Sequence, residues 1–227
     1  MSSKNFKTCI YVIVAILIII FYTKDIDFSG NSHYKNIETI NEPDINIVLV
    51  NKNYKLPTNY VPNDLETIDV TYSNKNKLLR QEAKIAFERL SKDAKELGYK
   101  IIAVSAYRDY NYQQKLYNEY LETKGKEYAD KCSARPGHSE HQTGLAVDVM
   151  GSNNNYDEFE KSKEFEWMKN TAYKYGFILR YPKDKTNITG FKYEPWHYRY
   201  VGIEVAKIIH DEQITLEEYY DKYINLN

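Results

Sequence analysis

An apolar segment near the N-terminus is the feature that most constrains how this chain can fold. Lys4 and Lys7 precede an uncharged run over residues 9–22, and Lys24 begins the charged sequence that follows it. A basic flank before an apolar run is typical of an export signal. Counted over residues 6–23, the run reaches the lower limit of the roughly 17–25 residues that a membrane-spanning helix needs. The sequence after this segment is therefore expected to fold separately from it.

We interpret residues 9–23 as a transmembrane signal anchor that is not cleaved, because no small-x-small cleavage site follows the run. A cleaved signal peptide and a buried core helix are the alternatives. The preceding lysines predict that residues 1–8 stay in the cytoplasm, which makes this a single-pass protein of the cell membrane with an extracytoplasmic domain. Cys9 lies inside the segment and Cys132 outside it, so the two cysteines are not expected to form a disulfide.

The remainder of the chain suits a short spacer and one domain. Residues 24–44 are polar without clear periodicity, and we interpret them as a spacer before a domain over residues 45–227. A chain of 227 residues is long enough for one good core rather than two full domains. The formal net charge of −1 lacks the basic excess of nucleic-acid-binding proteins, so no nucleic-acid partner is expected. We expect a monomer that contacts the membrane through its N-terminal helix.

Hydrophobic periodicity and capping residues predict a mixture of helices and strands. Apolar residues recur at spacings of three and four from Leu79 to Leu97 and stop at Gly98, which predicts an amphipathic helix. Asp109 is a suitable N-cap for a second helix that ends at Gly125. The mixture of helices with closely spaced strands indicates an α+β fold with a small, mainly antiparallel sheet flanked by helices. Further helices are predicted over residues 162–175 and 203–209 and after Thr215, strands over residues 45–50, 100–106, 145–150, 177–181 and 196–201, and a loop over residues 126–143.

Two of the five histidines lie in settings that suit metal binding. His141 precedes the predicted strand that contains Asp148, and Gly144 allows the chain to bend between them. Because side chains alternate along a strand, Asp148 points away from the core-facing residues beside it. His197 follows Glu194 by three residues, and a bend at the intervening proline would bring both to one site.

Two imidazoles and one carboxylate form a normal ligand set for catalytic zinc, with the fourth position left for water. His141, Asp148 and His197 supply this set. Glu194 is then the candidate general base, because it is an acidic group that is not needed as a ligand. A lone histidine in a loop is usually an ordinary polar residue, but here two segments each offer a histidine with a nearby carboxylate. His138 is not needed, since the set is complete without it.

The motif SxHxxGxAxD, which begins at Ser139, is followed by the motif ExxH, which begins at Glu194. Together they resemble the paired signature of the VanY-type D-alanyl-D-alanine carboxypeptidases, which belong with the D-Ala-D-Ala peptidase and hedgehog group of zinc proteins. Residues 105–108 with Gln113 resemble the family's Ser-Gly-Tyr-Arg…Gln segment. The resemblance covers residues 45–211 and implies a hedgehog/DD-peptidase-like fold.

The resemblance implies that the chain is a zinc-dependent carboxypeptidase. His141, Asp148 and His197 match the family's zinc ligands, and Glu194 matches its catalytic base. The implied substrate is a peptidoglycan stem peptide that ends in D-Ala-D-Ala, from which the last residue is removed. Glu194 would take a proton from water and pass it to the leaving amine.

Three further residues match substrate-contacting positions of the family. Arg108 matches an arginine whose guanidinium suits a carboxylate or a developing oxyanion, with an ordinary salt bridge to Asp109 as the alternative. Ser139 and Gln113 match positions that help to hold the C-terminal end of the substrate, although Ser139 also suits a simple turn residue. Asp109 stands where the family commonly has serine, and a carboxylate there could repel the substrate carboxylate.

Other functions compatible with these residues stay open. Relatives with the same ligands act as L,D-carboxypeptidases on tetrapeptide stems, as endopeptidases or as dipeptidases, and the metal motif does not separate them. The predicted anchor disfavours a cytoplasmic dipeptidase. A non-catalytic, zinc-stabilised wall-binding module is a rival of another class, but such a module would need neither Glu194 nor Arg108.

Overall fold

The structure is a computed structural model that describes residues 33–153 and 155–225. Within these two ranges, no helix is long and apolar enough to cross a membrane. The anchor predicted over residues 9–23 lies outside the described residues. Residues from His33 onward form one compact unit.

A mixed α/β fold with small sheets is observed, as predicted. The strands are β1 (Glu38–Thr39), β2 (Tyr54–Lys55), β3 (Leu65–Thr67), β4 (Leu78–Arg80), β5 (Ile102–Ser105), β6 (Ala146–Met150), β7 (Phe177–Leu179) and β8 (His197–Tyr200). The helices are α1 (Gln81–Glu96), α2 (Tyr110–Lys124), α3 (Lys126–Cys132), α4 (Tyr156–Phe159), α5 (Lys163–Thr171), α6 (Thr186–Thr189), α7 (Ile203–Glu212) and α8 (Leu216–Tyr219). The structure also has 3₁₀ turns at Glu140–Thr143 and Ala172–Tyr175 and a π-helical turn at Tyr220–Ile224.

The central sheet has four antiparallel strands in the order β5-β6-β8-β7. Leu145, Val147 and Val149 alternate toward the main hydrophobic core, where α1 packs through residues such as Phe87. The polar position between them, Asp148, faces the other side of the sheet. Hydrophobic alternation along β6 therefore decides which side of the sheet can carry a polar site.

The capping residues begin and end the helices as the sequence predicts. Helix α1 runs over Gln81–Glu96, and Gly98 follows it with φ +83°. In α2, the Asp109 carboxylate accepts a hydrogen bond from the backbone N–H of Tyr112 at 2.6 Å, and the helix ends at Gly125. The first residue of α5 follows the N-cap Ser162, whose hydroxyl accepts from Phe165 N–H.

The predicted strand over residues 45–50 is wrong. Val48 and Val50 are buried as expected for such a run, but the backbone bonds to side chains instead of a neighbouring strand. Arg199 Nη2 donates to the carbonyls of Asn46 and Val48, and the Tyr220 hydroxyl donates to the carbonyl of Ile47. The apolar pattern correctly predicts that this segment is buried, but it does not show that distant side chains will bond to its backbone.

The folded unit also begins earlier than the boundary predicted at residue 45. Residues 33–44 belong to the predicted spacer, yet β1 pairs in parallel with β2, and Tyr34 packs edge-on against His138 with ring centroids 4.9 Å apart. Residues 126–143, predicted as a loop, contain α3 and a 3₁₀ turn. Short helices of this kind lack the repeated apolar spacing that identifies a long one.

Candidate active site

Three local structures bring the predicted metal ligands together. His141 lies on the 3₁₀ turn, and Gly144 ends that turn in a left-handed conformation, φ +67°, before β6 begins. Asp148 on β6 lies directly opposite His197, the first residue of β8. The turn at Pro195 returns the chain so that the backbone N–H of His197 donates to the carbonyl of Glu194 at 3.1 Å. The bend expected at this proline is therefore present.

The three side chains form one buried cluster. One potential ligand atom from each of His141, Asp148 and His197 lies within 4.8 Å of those from the other two. His141 Nε2 lies 3.3 Å from Asp148 Oδ2, and His197 Nδ1 lies 2.9 Å from Asp148 Oδ1. Two imidazoles and a carboxylate with converging lone pairs match the donor set of catalytic zinc. The residues present therefore fit a zinc ion.

The electrostatics of His141 and Asp148 favour ligation, whereas His197 must lose a proton to bind a metal. Burial opposes the charge of His197, but its contacts with Asp148 and Glu140 raise its pKa to about 9 in the metal-free site. Burial, followed by the nearby Arg108 charge, lowers the pKa of His141 to about 4, so its imidazole is neutral at pH 7. Burial opposes ionisation of Asp148, but the two histidines hold its pKa well below its usual range. His141 Nδ1 lies 2.7 Å from the carbonyl of Ala106, so Nδ1–H donates there and the lone pair of Nε2 faces the cluster.

Glu194 lies at the edge of this cluster without belonging to it. Its Oε2 is 4.0 Å from His197 Nδ1, and its side chain is 16% exposed. Burial raises the pKa of Glu194 to about 7, with His197 opposing and Asp148 adding to the rise. A carboxylate with this pKa can both accept and return a proton near neutral pH.

The other predicted site residues lie in the same cleft. Arg108 Nη1 donates to Ser105 Oγ at 3.2 Å, and its buried Nε has no partner within the described ranges. The alternative salt bridge between Arg108 and Asp109 is absent from the described residues, because Asp109 caps α2 and is exposed. Asp109 also does not line the cleft, which removes the expected repulsion of a substrate carboxylate. Ser139 is buried and lines the cleft.

Gln113 has a structural part in addition to its predicted contact with substrate. Its Nε2 donates to Ser133 Oγ at 3.2 Å and to the carbonyl of Ala134 at 2.8 Å. Its side-chain oxygen has no partner among residues 33–153 and 155–225. With both donor bonds used inside the protein, Gln113 offers the cleft an acceptor and is suited to an N–H group rather than to a carboxylate.

The cleft has a volume of about 270 Å³. This volume is just below the range of roughly 300–1,000 Å³ found for small-ligand sites, which suits the end of a peptide. Its lining includes Leu116, Tyr120 and Tyr128 from α2 and α3, with the two tyrosine rings 6.1 Å apart. Further lining residues are Tyr156, Tyr181, Phe191, Lys192 and Trp196.

Sequence reasoning missed the buried charges behind the metal cluster. Glu140 is fully buried and bonds to Arg180 and Arg199, each at 2.7 Å. A signal was available, because Arg199 follows His197 by two residues and therefore shares its face of a strand. Glu140 directly precedes His141 in the quoted motif, but the spacing alone does not give its role. His138, the histidine considered unnecessary as a ligand, lies outside the cluster with Nδ1 2.7 Å from the carbonyl of Asn51.

The fold and this site define the class of protein: a zinc metallocarboxypeptidase. Residues 76–203 match the family described as VanY: D-alanyl-D-alanine carboxypeptidase. Among curated proteins, the putative carboxypeptidase YodJ of Bacillus subtilis (strain 168) is 43% identical over 214 residues, which cover 88% of this chain and 78% of that protein. This chain therefore belongs to the VanY family of D-alanyl-D-alanine carboxypeptidases.

Two solved structures with the same fold bear on the site. The LD-carboxypeptidase LdcB is 45% identical with a TM-score of 0.77, over 83% of this chain and 91% of that chain. A point mutant of the vancomycin resistance D,D-pentapeptidase VanY, solved in complex with Zn(II), is 36% identical with a TM-score of 0.65, over 77% of this chain and 98% of that chain. The zinc ion in the second structure and the His-Asp-His cluster described here agree on the cofactor.

Proposed function

We propose that this protein removes the C-terminal D-alanine from peptidoglycan stem peptides that end in D-Ala-D-Ala. The observation that carries the proposal is the shared cleft of the His141–Asp148–His197 cluster, Glu194 and Arg108. A wall-binding module stabilised by zinc would need the metal cluster but neither Glu194 nor Arg108. Membership of the VanY family supports the same reaction class.

Glu194 is the group that moves protons in this proposal. Bound zinc supplies Lewis acidity toward the scissile carbonyl and makes hydroxide available near neutral pH. Glu194 accepts the proton of the attacking water and delivers it to the amine of the leaving D-alanine. Its burial and its pKa of about 7 suit both transfers.

Arg108 and Lys192 both line the cleft and supply positive charge to it. Arg108 is fixed by Ser105 and offers its remaining N–H groups to the oxyanion that develops during hydrolysis. Lys192 Nζ lies 5.9 Å from the centroid of the Trp196 ring, at the cleft wall. A peptide's terminal carboxylate needs such a cation, because a buried anion without a partner is costly. Two cations in one small cleft favour a carboxypeptidase over an endopeptidase.

An L,D-carboxypeptidase is the second candidate. The LdcB structure, an LD-carboxypeptidase, is more similar to this chain than the D,D-pentapeptidase VanY structure, at 45% against 36% identity. In an L,D substrate the residue before the scissile bond has the L configuration, so its side chain points in a different direction from that of a D residue. The rings of Tyr120 and Tyr128, which line the cleft, offer an aromatic surface for such a side chain.

Release of free D-alanine from two defined muropeptides tests the proposal. The purified protein is incubated with a pentapeptide stem and with a tetrapeptide stem, with and without a chelator, and the Glu194→Gln variant serves as the control. Release from the pentapeptide alone, lost on chelation and restored by zinc, is the expected result. Release from the tetrapeptide alone would assign the enzyme to the L,D class, and release from neither would refute carboxypeptidase action.

We also propose that residues 9–23 anchor the enzyme in the cell membrane, with the domain on the extracytoplasmic side where its substrate lies. The apolar run and the lysines before it support this placement. Protease added to intact, wall-stripped cells should degrade the domain. Protection of the domain until the membrane is permeabilised would refute the placement.

A further inference from the structure

A buried cluster of four charged side chains lies behind the metal ligands. Glu140, Arg180 and Arg199 have no exposed side-chain surface, and the side chain of Glu217 is 11% exposed. Arg180 binds Glu217 through two nitrogens, at 2.6 and 2.8 Å. The cluster contains two cations and two anions, so its charges balance without any contribution from a histidine.

The two oxygens of the Glu140 carboxylate have different partners. Oε1 accepts from Arg180 Nε and from Arg199 Nη1, each at 2.7 Å. The other nitrogens of Arg199 donate to backbone carbonyls, at 2.8–3.0 Å, so this guanidinium is held in place. Oε2 lies 3.4 Å from His197 Nε2. The arginines therefore fix the carboxylate through one oxygen and leave the other oxygen toward the imidazole.

The orientation of the His197 ring determines which of its nitrogens faces the metal ligands and which faces Glu140. Nδ1 faces Asp148 Oδ1 at 2.9 Å and Glu194 Oε2 at 4.0 Å, which is the side of the metal cluster. A metal on Nδ1 requires its lone pair, so the proton of the neutral imidazole must lie on Nε2 and point at Glu140. We propose that Glu140 is a positioning residue that fixes the tautomer and orientation of the zinc ligand His197.

The two histidine ligands then differ in the hydrogen-bond acceptor of the ring nitrogen that does not face the metal. His141 donates to a neutral backbone carbonyl, that of Ala106, whereas His197 donates to a carboxylate. A carboxylate partner raises the basicity of a ligating imidazole more than a neutral acceptor does, because it stabilises positive charge on the ring. Glu140 should therefore strengthen the bond that His197 makes to the metal, although it is not itself one of the three ligands.

The affinity for zinc measures this role directly. Glu140→Met removes the acceptor, Glu140→Gln keeps an oxygen acceptor but removes the charge, and Glu217→Gln removes a carboxylate of the same cluster that does not touch His197. Zinc affinity of the full chain is measured by competition with a chromogenic chelator, after circular dichroism has shown that each variant is folded. Loss of an outer-shell partner of a ligand typically weakens metal binding by about 10–100-fold.

We expect that range for Glu140→Met, a smaller loss for Glu140→Gln, and wild-type zinc affinity for Glu217→Gln even if its unfolding midpoint falls. Wild-type affinity in a folded Glu140→Met variant would overturn the proposal. An equal loss of affinity in Glu217→Gln would also overturn it, since the effect would then come from the cluster as a whole.

A measurement on the wild-type protein tests the proposal even if the variants fail to fold. In the zinc-loaded wild type, ¹⁵N shifts of the histidine rings report which nitrogen carries the proton. His197 should carry it on Nε2 and His141 on Nδ1. A proton on Nδ1 of His197 would refute the assignment. Zinc affinity and the ring-nitrogen shifts both report on the metal site alone. Their interpretation therefore does not depend on which stem peptide the enzyme cleaves.

Discussion

Gly144 joins the turn that carries His141 to strand β6, and its replacement by alanine gives a sharp test of the site's architecture. Its φ of +67° lies in the left-handed region, and an added Cβ would lie 2.8 Å from Leu65 Cδ2 and 3.0 Å from Arg80 Cγ. The backbone N–H of Arg80 also donates to the Gly144 carbonyl at 2.8 Å, so the β3–β4 hairpin cannot move away freely.

Gly98 provides a matched control for this substitution. Its φ is +83°, but an added Cβ would meet no atom within 4 Å. Alanine in the left-handed region costs about 1–2 kcal/mol at either position. Both variants also gain about 0.4–1 kcal/mol because alanine restricts the unfolded chain. Overpacking adds about 1–3 kcal/mol at Gly144 alone.

We therefore expect Gly98→Ala to lower the free energy of unfolding by about 1 kcal/mol and Gly144→Ala to lower it by about 2–4 kcal/mol. Urea unfolding with excess chelator measures both values without a contribution from bound metal. Gly144→Ala should also bind zinc more weakly, because His141 lies on the displaced turn. Equal losses of stability in the two variants would refute the argument that the hairpin closely packs against this glycine.

Three predictions concern catalysis. Glu194→Gln should lower kcat by about 10²–10⁴-fold while zinc content measured by mass spectrometry stays at one ion per chain; loss of zinc would instead make Glu194 a ligand. Because a base must be ionised, activity should rise with pH through the Glu194 pKa, which bound zinc lowers below its metal-free value of about 7; a profile that falls over that range would contradict this role. Arg108→Met should lower kcat by about 10²–10³-fold with partial recovery in Arg108→Lys, and an effect on KM alone would indicate that Arg108 binds the ground state.

The central sheet and the site residues were accessible from sequence because local and chemical signals agree there. The alternation through Leu145, Val147 and Val149 assigns a face to every residue of β6, and the two histidines lie beside carboxylates at fixed spacings. The Asp109 cap and Gly98 likewise define the beginning or end of their helices through interactions within one turn. Features fixed by neighbours in sequence are thus predictable from the residues themselves.

The features that sequence reasoning missed depend on partners far apart in the chain. The run over residues 45–50 is apolar like a strand, yet its carbonyls are satisfied by Arg199 and Tyr220, more than 150 residues away in sequence. Glu140 looks like one charged residue among many, and only the approach of Arg180 and Arg199 shows why it is buried. Strand alternation places Arg199 on the face of His197, but it does not identify the groups that Arg199 contacts, because each contact depends on how the sheet brings distant segments together.

The pairing of β6 with β8 links the stability of the sheet to the metal. Asp148 and His197, 49 residues apart in sequence, lie opposite each other in this pair, so their contact exists only in one register. A slip by one residue would turn either side chain to the core face and separate the ligands. Asp148 and His197 converge in this register, so the free energy of zinc binding would add to the stability of the correct pairing. The same ion that enables hydrolysis therefore also selects the register of the strands that hold it.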